Sequence, residues 1–181
     1  PGADKGSRFI QLCDAFDIPI LSLIDCPGIM VGPESEKSAL IRHAARMFVV
    51  GANIETPFMS VVIRKAYGLG AQAMAGGSFK IPLFTVTWPT GEFGGMGLEG
   101  AVKLGYRKEL EAIKDPKERV ASYEKMVADS YHRGRAVNMA SHFELDDVID
   151  PAETRNWVSS ALKSLPKKSR SGKKRPNIDT W

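Results

Sequence analysis

Residues 61–77, VVIRKAYGLGAQAMAGG, constrain the fold more than any other stretch of the chain. The β-branched run Val61–Ile63 is typical of a buried strand, and the residues after Gly70 favour a helix. Between them, two glycines predict a tight strand-to-helix turn that a ligand could approach closely. The first N–H groups of a helix have no partner within it and lie at its positive end, which suits an anionic oxygen. The turn therefore predicts an oxyanion hole formed by the N–H groups of Gly70 and Ala71; the alternative is that the glycines only allow the chain to turn.

Strand-like and helix-like stretches alternate along the whole chain, which predicts an α/β domain with a largely parallel sheet covered by helices. We expect this domain to occupy residues 1–162 and a basic, flexible tail to occupy 163–181. The predicted helices are 3–17, 35–50, 71–75, two within 98–138 with a break at Asp115-Pro116, and 151–162; the predicted strands are 20–24, 58–63, 83–88 and a short extended segment at 147–151.

Two predicted loops could meet a ligand. Residues 26–34 come directly after a strand, where ligands often bind in sheets with helices on their faces. Residues 91–97, GEFGGMG, have neither the spacing of a phosphate-binding P-loop nor that of a dinucleotide-binding turn. Their glycines either let backbone approach a ligand or only free the chain to turn.

The net charge of +4 belongs to the tail, because residues 163–181 hold seven basic residues and one acid. The remaining chain has 18 basic and 20 acidic residues and is mildly acidic, so we expect no nucleic-acid partner. We also expect no membrane association, because no apolar run is long enough to span a bilayer. The two cysteines lack metal-ligand spacing and predict reduced thiols in a cytoplasmic protein. The chain opens Pro-Gly-Ala without an initiator methionine, which suggests a processed or excised piece.

Side chains for hydrolytic or metal chemistry are scarce. No serine has the G-x-S-x-G setting of a nucleophile, and no histidine pair has zinc spacing, so no metal is expected. His43, His132 and His142 fall in helical, charged stretches and are interpreted as surface or structural residues. A chain that offers backbone donors but few catalytic side chains suits enolate stabilisation better than hydrolysis.

Five segments together resemble a known family: ADKGSRFIQLCDAFDIPILSLIDCPGIMVG at 3–32, IRHAARMFVVGANIETP at 41–57, VIRKAYGLGAQAM at 62–74, WPTGEFGGMGLEGAV at 88–102 and DDVIDPAETR at 146–155. The chain resembles the C-terminal half of the carboxyltransferase subunit of biotin-dependent acyl-CoA carboxylases, the acetyl- and propionyl-CoA carboxylase group. The resemblance implies a crotonase-like superhelix of ββα units. It also implies transfer of a carboxyl group from carboxybiotin to the α-carbon of an acyl-CoA, and this chain would be the domain that receives the biotin.

The resemblance also assigns roles to residues. In the family, two backbone N–H groups stabilise the biotin ureido oxygen, and they correspond here to Gly70 and Ala71. Ala73 would line the acyl pocket. The chain reads Tyr-Gly-Leu-Gly-Ala at 67–71 where many members read YGGA, so it carries one extra residue. The positions that would contact biotin are Cys26, Pro27, Gly28, Ile29, Tyr67 and Gly68.

The resemblance implies several partners: an acyl-CoA, a biotin carboxyl carrier protein, a biotin carboxylase subunit, an N-terminal crotonase-like half and further copies in a homo-oligomer. The isolated chain would lack activity, because half of the active site belongs to the N-terminal half. Two alternatives stay open. The chain could come from an acyl-CoA decarboxylase, or it could be a non-catalytic assembly module of the same fold.

Overall fold

The computed structural model describes residues 1–166 and residue 178. Residues 167–177 and 179–181, which hold most of the predicted basic tail, lie outside this description. The helices are α1 Gly2–Ala15, α2 Pro33–Lys37, α3 Leu40–Gly51, α4 Gly68–Met74, α5 Leu98–Gly105, α6 Arg107–Ala112, α7 Pro116–Arg133, α8 Ala136–Ser141 and α9 Thr154–Ser164, with a 3₁₀ turn at Pro151–Glu153. The strands are β1 Ile20–Cys26, β2 Phe58–Tyr67, β3 Thr85–Thr87, β4 Glu92–Gly94 and β5 Asp147–Val148.

The five strands form one sheet in which every pairing is parallel, as the alternation of strands and helices predicts. The order is β1-β2-β3-β5, and β4 pairs with β2 beyond the end of β3. The central strand β2 begins with five consecutive buried residues, 58–62. A continuous apolar run of this kind is typical of a strand covered on both faces.

Strand β2 changes its partner along its length. Residues Ser60–Val62 pair with β3, and residues Lys65–Tyr67 pair with β4. At the same place the register with β1 shifts, because Ile24 lies opposite Val62 whereas Cys26 lies opposite Ala66. Strand β2 therefore carries two extra residues opposite Asp25, which form a β-bulge just before the glycine turn.

Three groups of buried side chains hold the layers together. One packs helices α4 and α8 against the sheet around Ile24, Val62 and Phe93. A second joins α1 and α3 to the start of β1 and β2, and a third lies under α9, where Phe84 meets Trp157 edge-on at 5.5 Å between ring centroids. Both faces of β2 are thus covered by apolar side chains. Among the described residues, no helix is long and apolar enough to cross a membrane.

Several predicted element boundaries were wrong. The predicted helix 35–50 is two helices, because Ala39 adopts a left-handed φ of 55° between them. The glycine-rich loop 91–97 contains strand β4, whose pairing with β2 a local pattern does not reveal. The segment 98–138 holds four helices rather than two. Helix α1 forms as predicted, but Phe9 and Phe16 of its expected apolar face are 61% and 68% exposed.

Candidate active site

The predicted glycine turn forms where β2 ends and α4 begins, and its glycines are required by close backbone contacts. Gly68 has a φ of +57°, and a Cβ there would lie 2.6 Å from the carbonyl oxygen of Gly95. A Cβ on Gly70 would lie 2.8 Å from Cys26 Sγ and 2.8 Å from the carbonyl carbon of Gly28. The ends of β1, β2 and β4 therefore meet at this turn. Gly68 and Gly70 are thus required for close packing of the turn, whether or not the turn also binds a ligand.

Helix α4 places backbone donors at the turn. Gly68, Leu69 and Gly70 form its first turn, where N–H groups have no acceptor within the helix. Ala71 is the fourth residue, the first whose N–H an α-helix can pair internally, with the carbonyl of Tyr67. Leu69 is 59% exposed, whereas Gly70 and Ala71 are buried. Of the predicted pair, Gly70 therefore belongs to the unpaired first turn and Ala71 does not, whereas exposed Leu69 carries a further first-turn N–H.

The loop after β1 lies against this turn. Cys26 is half-buried with a free thiol, which donates to the Gly28 carbonyl at 3.8 Å. Pro27 is exposed and Ile29 is half-buried. Gly28 has a φ of +112°. A Cβ atom added to Gly28 would lie 3.6 Å from the carbonyl oxygen of Tyr67. The structure therefore brings Cys26–Ile29 together with the Tyr67–Ala71 turn, as the assignment of both to one site requires.

Tyr67 joins the turn to strand β4 through its side chain. Its side chain is 3% exposed, and its hydroxyl donates to Glu92 Oε2 at 3.0 Å, which ties the N-cap of α4 to strand β4. Burial, together with the neighbouring Glu92 carboxylate, raises the pKa of Tyr67 far above its usual value, so the phenol stays protonated. Tyr131 of α7 donates to Glu99 at 2.7 Å, and this bond lowers the pKa of the Glu99 carboxyl.

Ala73 lies further along α4 and is 3% exposed, so its methyl group packs within the chain. Its predicted place in an acyl pocket remains a prediction. A cavity of about 410 Å³ opens at the opposite end of the strands, beside Pro19 and Pro57, and contains none of the predicted site residues. Within the turn itself, Leu69 is exposed, whereas Tyr67, Gly70 and Ala71 are buried.

The titratable side chains that the structure places at the turn are Cys26, Tyr67 and Glu92. The described part of the chain holds no group of three or more His, Cys, Asp or Glu side chains that could bind a metal ion. His43 contacts Asp4 at 2.8 Å, which joins helix α3 to helix α1. His132 and His142 are exposed.

Two residues beside the site were missed as site residues by sequence reasoning. Glu92 was seen only as part of a glycine-rich loop, and Asp25 only as the residue that ends a strand. A carboxylate close to a strand end could have marked each residue as a candidate. The partner of Glu92 is Tyr67, 25 positions away, and the partner of Asp25 is Lys65, 40 positions away. Only the fold brings each carboxylate to its partner.

The parallel sheet, its covering helices and the strand-to-helix glycine turn define a crotonase-like α/β domain. The sequence profile of the carboxyl transferase domain matches residues 1–178, so the chain belongs to the carboxyl transferase domain family. The chain is 38% identical to the propionyl-CoA carboxylase carboxyltransferase subunit of Haloferax mediterranei, over 97% of this chain and 34% of that protein. It is 35% identical to the methylmalonyl-CoA carboxyltransferase 12S subunit of Propionibacterium freudenreichii, over 97% of this chain and 33% of that protein.

Solved structures agree with this assignment. A single-chain, multi-domain long-chain acyl-CoA carboxylase superposes with a TM-score of 0.78 and 52% identity, over 88% of this chain and 15% of that one. The transcarboxylase 12S subunit, which was solved as a hexamer, superposes with a TM-score of 0.79 and 32% identity over 96% of this chain and 34% of that one. The predicted family and the crotonase-like fold are thereby confirmed. The chain spans about a third of the length of its matched relatives.

Proposed function

We propose that this chain is the biotin-side domain of an acyl-CoA carboxyltransferase, which moves a carboxyl group from carboxybiotin to the α-carbon of an acyl-CoA. The observation that carries the proposal is the junction of the Cys26–Ile29 loop with the first turn of α4, in a chain of the carboxyl transferase family. This junction offers backbone N–H groups at a helix start and few side chains that could act as nucleophile or base. Such a site suits the stabilisation of a developing oxyanion.

The turn fits biotin as a ligand carried on a partner protein. Gly95 borders the turn, because its carbonyl oxygen lies beside Gly68, and nothing lies within 4 Å of the position where its own Cβ atom would be. Flat backbone beside open space lets a planar ureido ring approach closely. The unpaired first-turn N–H groups of Gly70 and Leu69 would hold the ureido oxygen, and the Ala71 N–H would join them only by leaving the Tyr67 carbonyl. Cys26, Pro27, Gly28, Ile29, Tyr67 and Gly68 would surround the ring.

Bound carboxybiotin supplies the carboxyl group as CO₂. The role of this chain is to hold N–H donors in place before negative charge develops on the ureido oxygen. No reorganisation of the donors is then needed during the reaction. Neutral, buried Tyr67 anchors the N-cap of α4 to β4 through Glu92 and places no negative charge of its own beside the oxyanion. Removal of one donor from such a hole typically lowers turnover about 10²–10³-fold.

The remaining parts of the machinery would come from outside this chain. Because the chain spans about a third of its relatives, we propose that an N-terminal crotonase-like half binds the acyl-CoA and completes the active site. A biotin carboxyl carrier protein and a biotin carboxylase would supply carboxybiotin, within a cytoplasmic homo-oligomer. The isolated chain is expected to be inactive.

For the substrate, we propose a long-chain acyl-CoA. The support is the 52% identity to the long-chain acyl-CoA carboxylase, against 38% to the propionyl-CoA carboxylase subunit.

The test uses the full-length protein with its carrier, and compares carboxylation of acetyl-CoA, propionyl-CoA and palmitoyl-CoA by product mass. The expected result is the highest kcat/KM with palmitoyl-CoA. Carboxylation of propionyl-CoA in preference to palmitoyl-CoA refutes the substrate class but leaves the reaction intact. Absence of carboxylation with every acyl-CoA, from a folded protein with loaded carrier, supports the assembly-module alternative.

A decarboxylase remains the second candidate. The chain is 34% identical to the methylmalonyl-CoA decarboxylase α subunit of Propionigenium modestum, over 90% of this chain and 31% of that protein. The two functions share the biotin half-reaction and differ in direction. Decarboxylation of methylmalonyl-CoA onto free biotin, with no ATP-dependent carboxylation in the presence of the biotin carboxylase, would favour this candidate.

A further inference from the structure

We propose that Asp25 is a positioning residue for the carboxyl transfer, because it holds the β-bulge of β2 that aims the glycine turn at the Cys26–Gly28 loop. The inference rests on the proposed function of that turn. Asp25 touches neither biotin nor substrate in this proposal and acts through the backbone of β2.

The bulge is the point on which the site geometry depends. Between the pairs Ile24–Val62 and Cys26–Ala66, strand β1 advances by two residues and strand β2 by four. Such an insertion bends the strand and changes the direction in which the next residues run. Here the next residues are the Ala66–Tyr67 end of β2 and the first turn of α4.

Asp25 satisfies the backbone and the side chain of the bulge together. Its Oδ1 accepts the backbone N–H of Lys65 at 3.2 Å, a donor that the inserted residues remove from the regular ladder. The Arg64 guanidinium donates to the same carboxylate through Nη2 at 2.9 Å and through Nε at 3.2 Å. The Arg64 hydrogen bond lowers the pKa of the Asp25 carboxyl, so the acceptor is ionised in the working protein.

A second contact holds the bulge from the other side. The Thr90 hydroxyl donates to the carbonyl oxygen of Ile63 at 2.5 Å. Within the inserted stretch, the Lys65 N–H is thus paired with Asp25 and the Ile63 carbonyl is paired with Thr90, which precedes β4. Each of these two contacts restricts the geometry that the bulge can adopt.

The contacts at the turn leave little room for such a shift. The space beside Gly70 is already filled by Cys26 Sγ and by the Gly28 backbone, and Gly28 faces the Tyr67 carbonyl. Because Asp25 immediately precedes Cys26, one residue fixes both the loop and the turn. A displacement of about 1 Å at reacting groups can lower turnover about a hundredfold.

The experiment compares Asp25→Ala, Asp25→Asn and Arg64→Gln in the full-length protein with its carrier. Asp25→Ala removes both contacts, whereas Asp25→Asn keeps an oxygen that can accept the Lys65 N–H and loses the charge. Arg64→Gln removes the guanidinium and keeps the Lys65 bond. We expect kcat to fall about 10–100-fold in Asp25→Ala and about two- to fivefold in the other two, with the KM for acyl-CoA unchanged.

The control is Glu111→Gln, which breaks the exposed Arg107–Glu111 ion pair of helix α6, at 2.8 Å and distant from the turn in sequence. It should leave kcat unchanged. Amide hydrogen exchange gives a second readout: the amides of 71–73, the first that α4 pairs internally, should exchange faster in Asp25→Ala and not in Glu111→Gln.

The inference is overturned if folded Asp25→Ala keeps wild-type kcat, or if its kcat falls without faster exchange at 71–73. Should Asp25→Ala not fold, wild-type kcat in both Asp25→Asn and Arg64→Gln overturns it. Failure of the proposed function is separate, because it would show as an inactive wild-type protein, and the exchange readout would still decide whether Asp25 holds the turn.

Discussion

Gly70→Ala tests the packing of the turn most directly. The new methyl carbon would lie 2.8 Å from Cys26 Sγ and from the carbonyl carbon of Gly28. Carbon atoms prefer about 3.5–4.0 Å, so the loop and the turn must separate by at least about 0.7 Å. Overpacking of this kind costs about 1–3 kcal/mol of folding stability, of which better helix propensity returns up to about 1 kcal/mol.

The effect on turnover should exceed the effect on stability. A separation near 0.7 Å moves the first-turn N–H groups relative to the Cys26–Ile29 loop, so we expect kcat to fall about a hundredfold. Stability would be measured by urea unfolding, and turnover by product mass with saturating acyl-CoA and carrier. The double variant Gly70→Ala/Cys26→Ala should recover only part of the kcat, because the Gly28 backbone contact remains.

Gly95→Ala is the matched control, since nothing lies within 4 Å of its Cβ position and no packing change is expected. Its stability should stay within about 0.5 kcal/mol of wild type. A Gly70→Ala protein that turns over within about threefold of wild type would refute the claim that the turn and the loop are held in one fixed arrangement.

Three further predictions test the surrounding structure. Tyr67→Phe removes the hydrogen bond to Glu92 and should lower the free energy of unfolding by about 1–3 kcal/mol in urea titrations; no change would contradict the anchoring role. Trp157→Ala should cost about 3–5 kcal/mol if α9 is part of the domain core, and a cost below about 1 kcal/mol would show that α9 is peripheral. The hydrogen bond from His43 lowers the pKa of Asp4 in the folded state, so its stabilisation is complete above the unfolded value and is lost as the pH falls below about 4. Thermal melts at pH 7 and pH 3 should therefore differ less for Asp4→Asn than for wild type.

Much of the fold could be predicted because its signals are local. The β-branched run at 61–63 and the glycines after it identify the central strand and its turn, since backbone preference is set by each residue and its neighbours. Helix α1 and the β1 strand could be predicted for the same reason. Alternation of such elements then indicates a parallel sheet, because parallel strands need crossover helices between them.

The incorrect predictions of strand β4, of the apolar face of α1 and of the helix at 35–50 share one cause: each feature depends on contacts between elements distant in sequence. Strand β4 is three residues long, and its only structural signal is its pairing with Lys65–Tyr67, which no window of sequence contains. The exposure of Phe9 and Phe16 depends on which elements lie against α1, and a helical period alone does not specify them. The break at Ala39 depends on how α2 and α3 pack, because alanine by itself favours a continuous helix.

The sequence alone determined the family, the alternation of strands and helices and the place of the glycine turn, because these depend on residue types at short spacing. Tertiary structure decided which residues support that turn. The Asp25–Lys65 bond joins positions 40 apart and the Tyr67–Glu92 bond joins positions 25 apart. Hydrogen bonds over such separations exist only once the sheet has set the register of its strands, so the carboxylates that hold the turn become visible only in the folded chain.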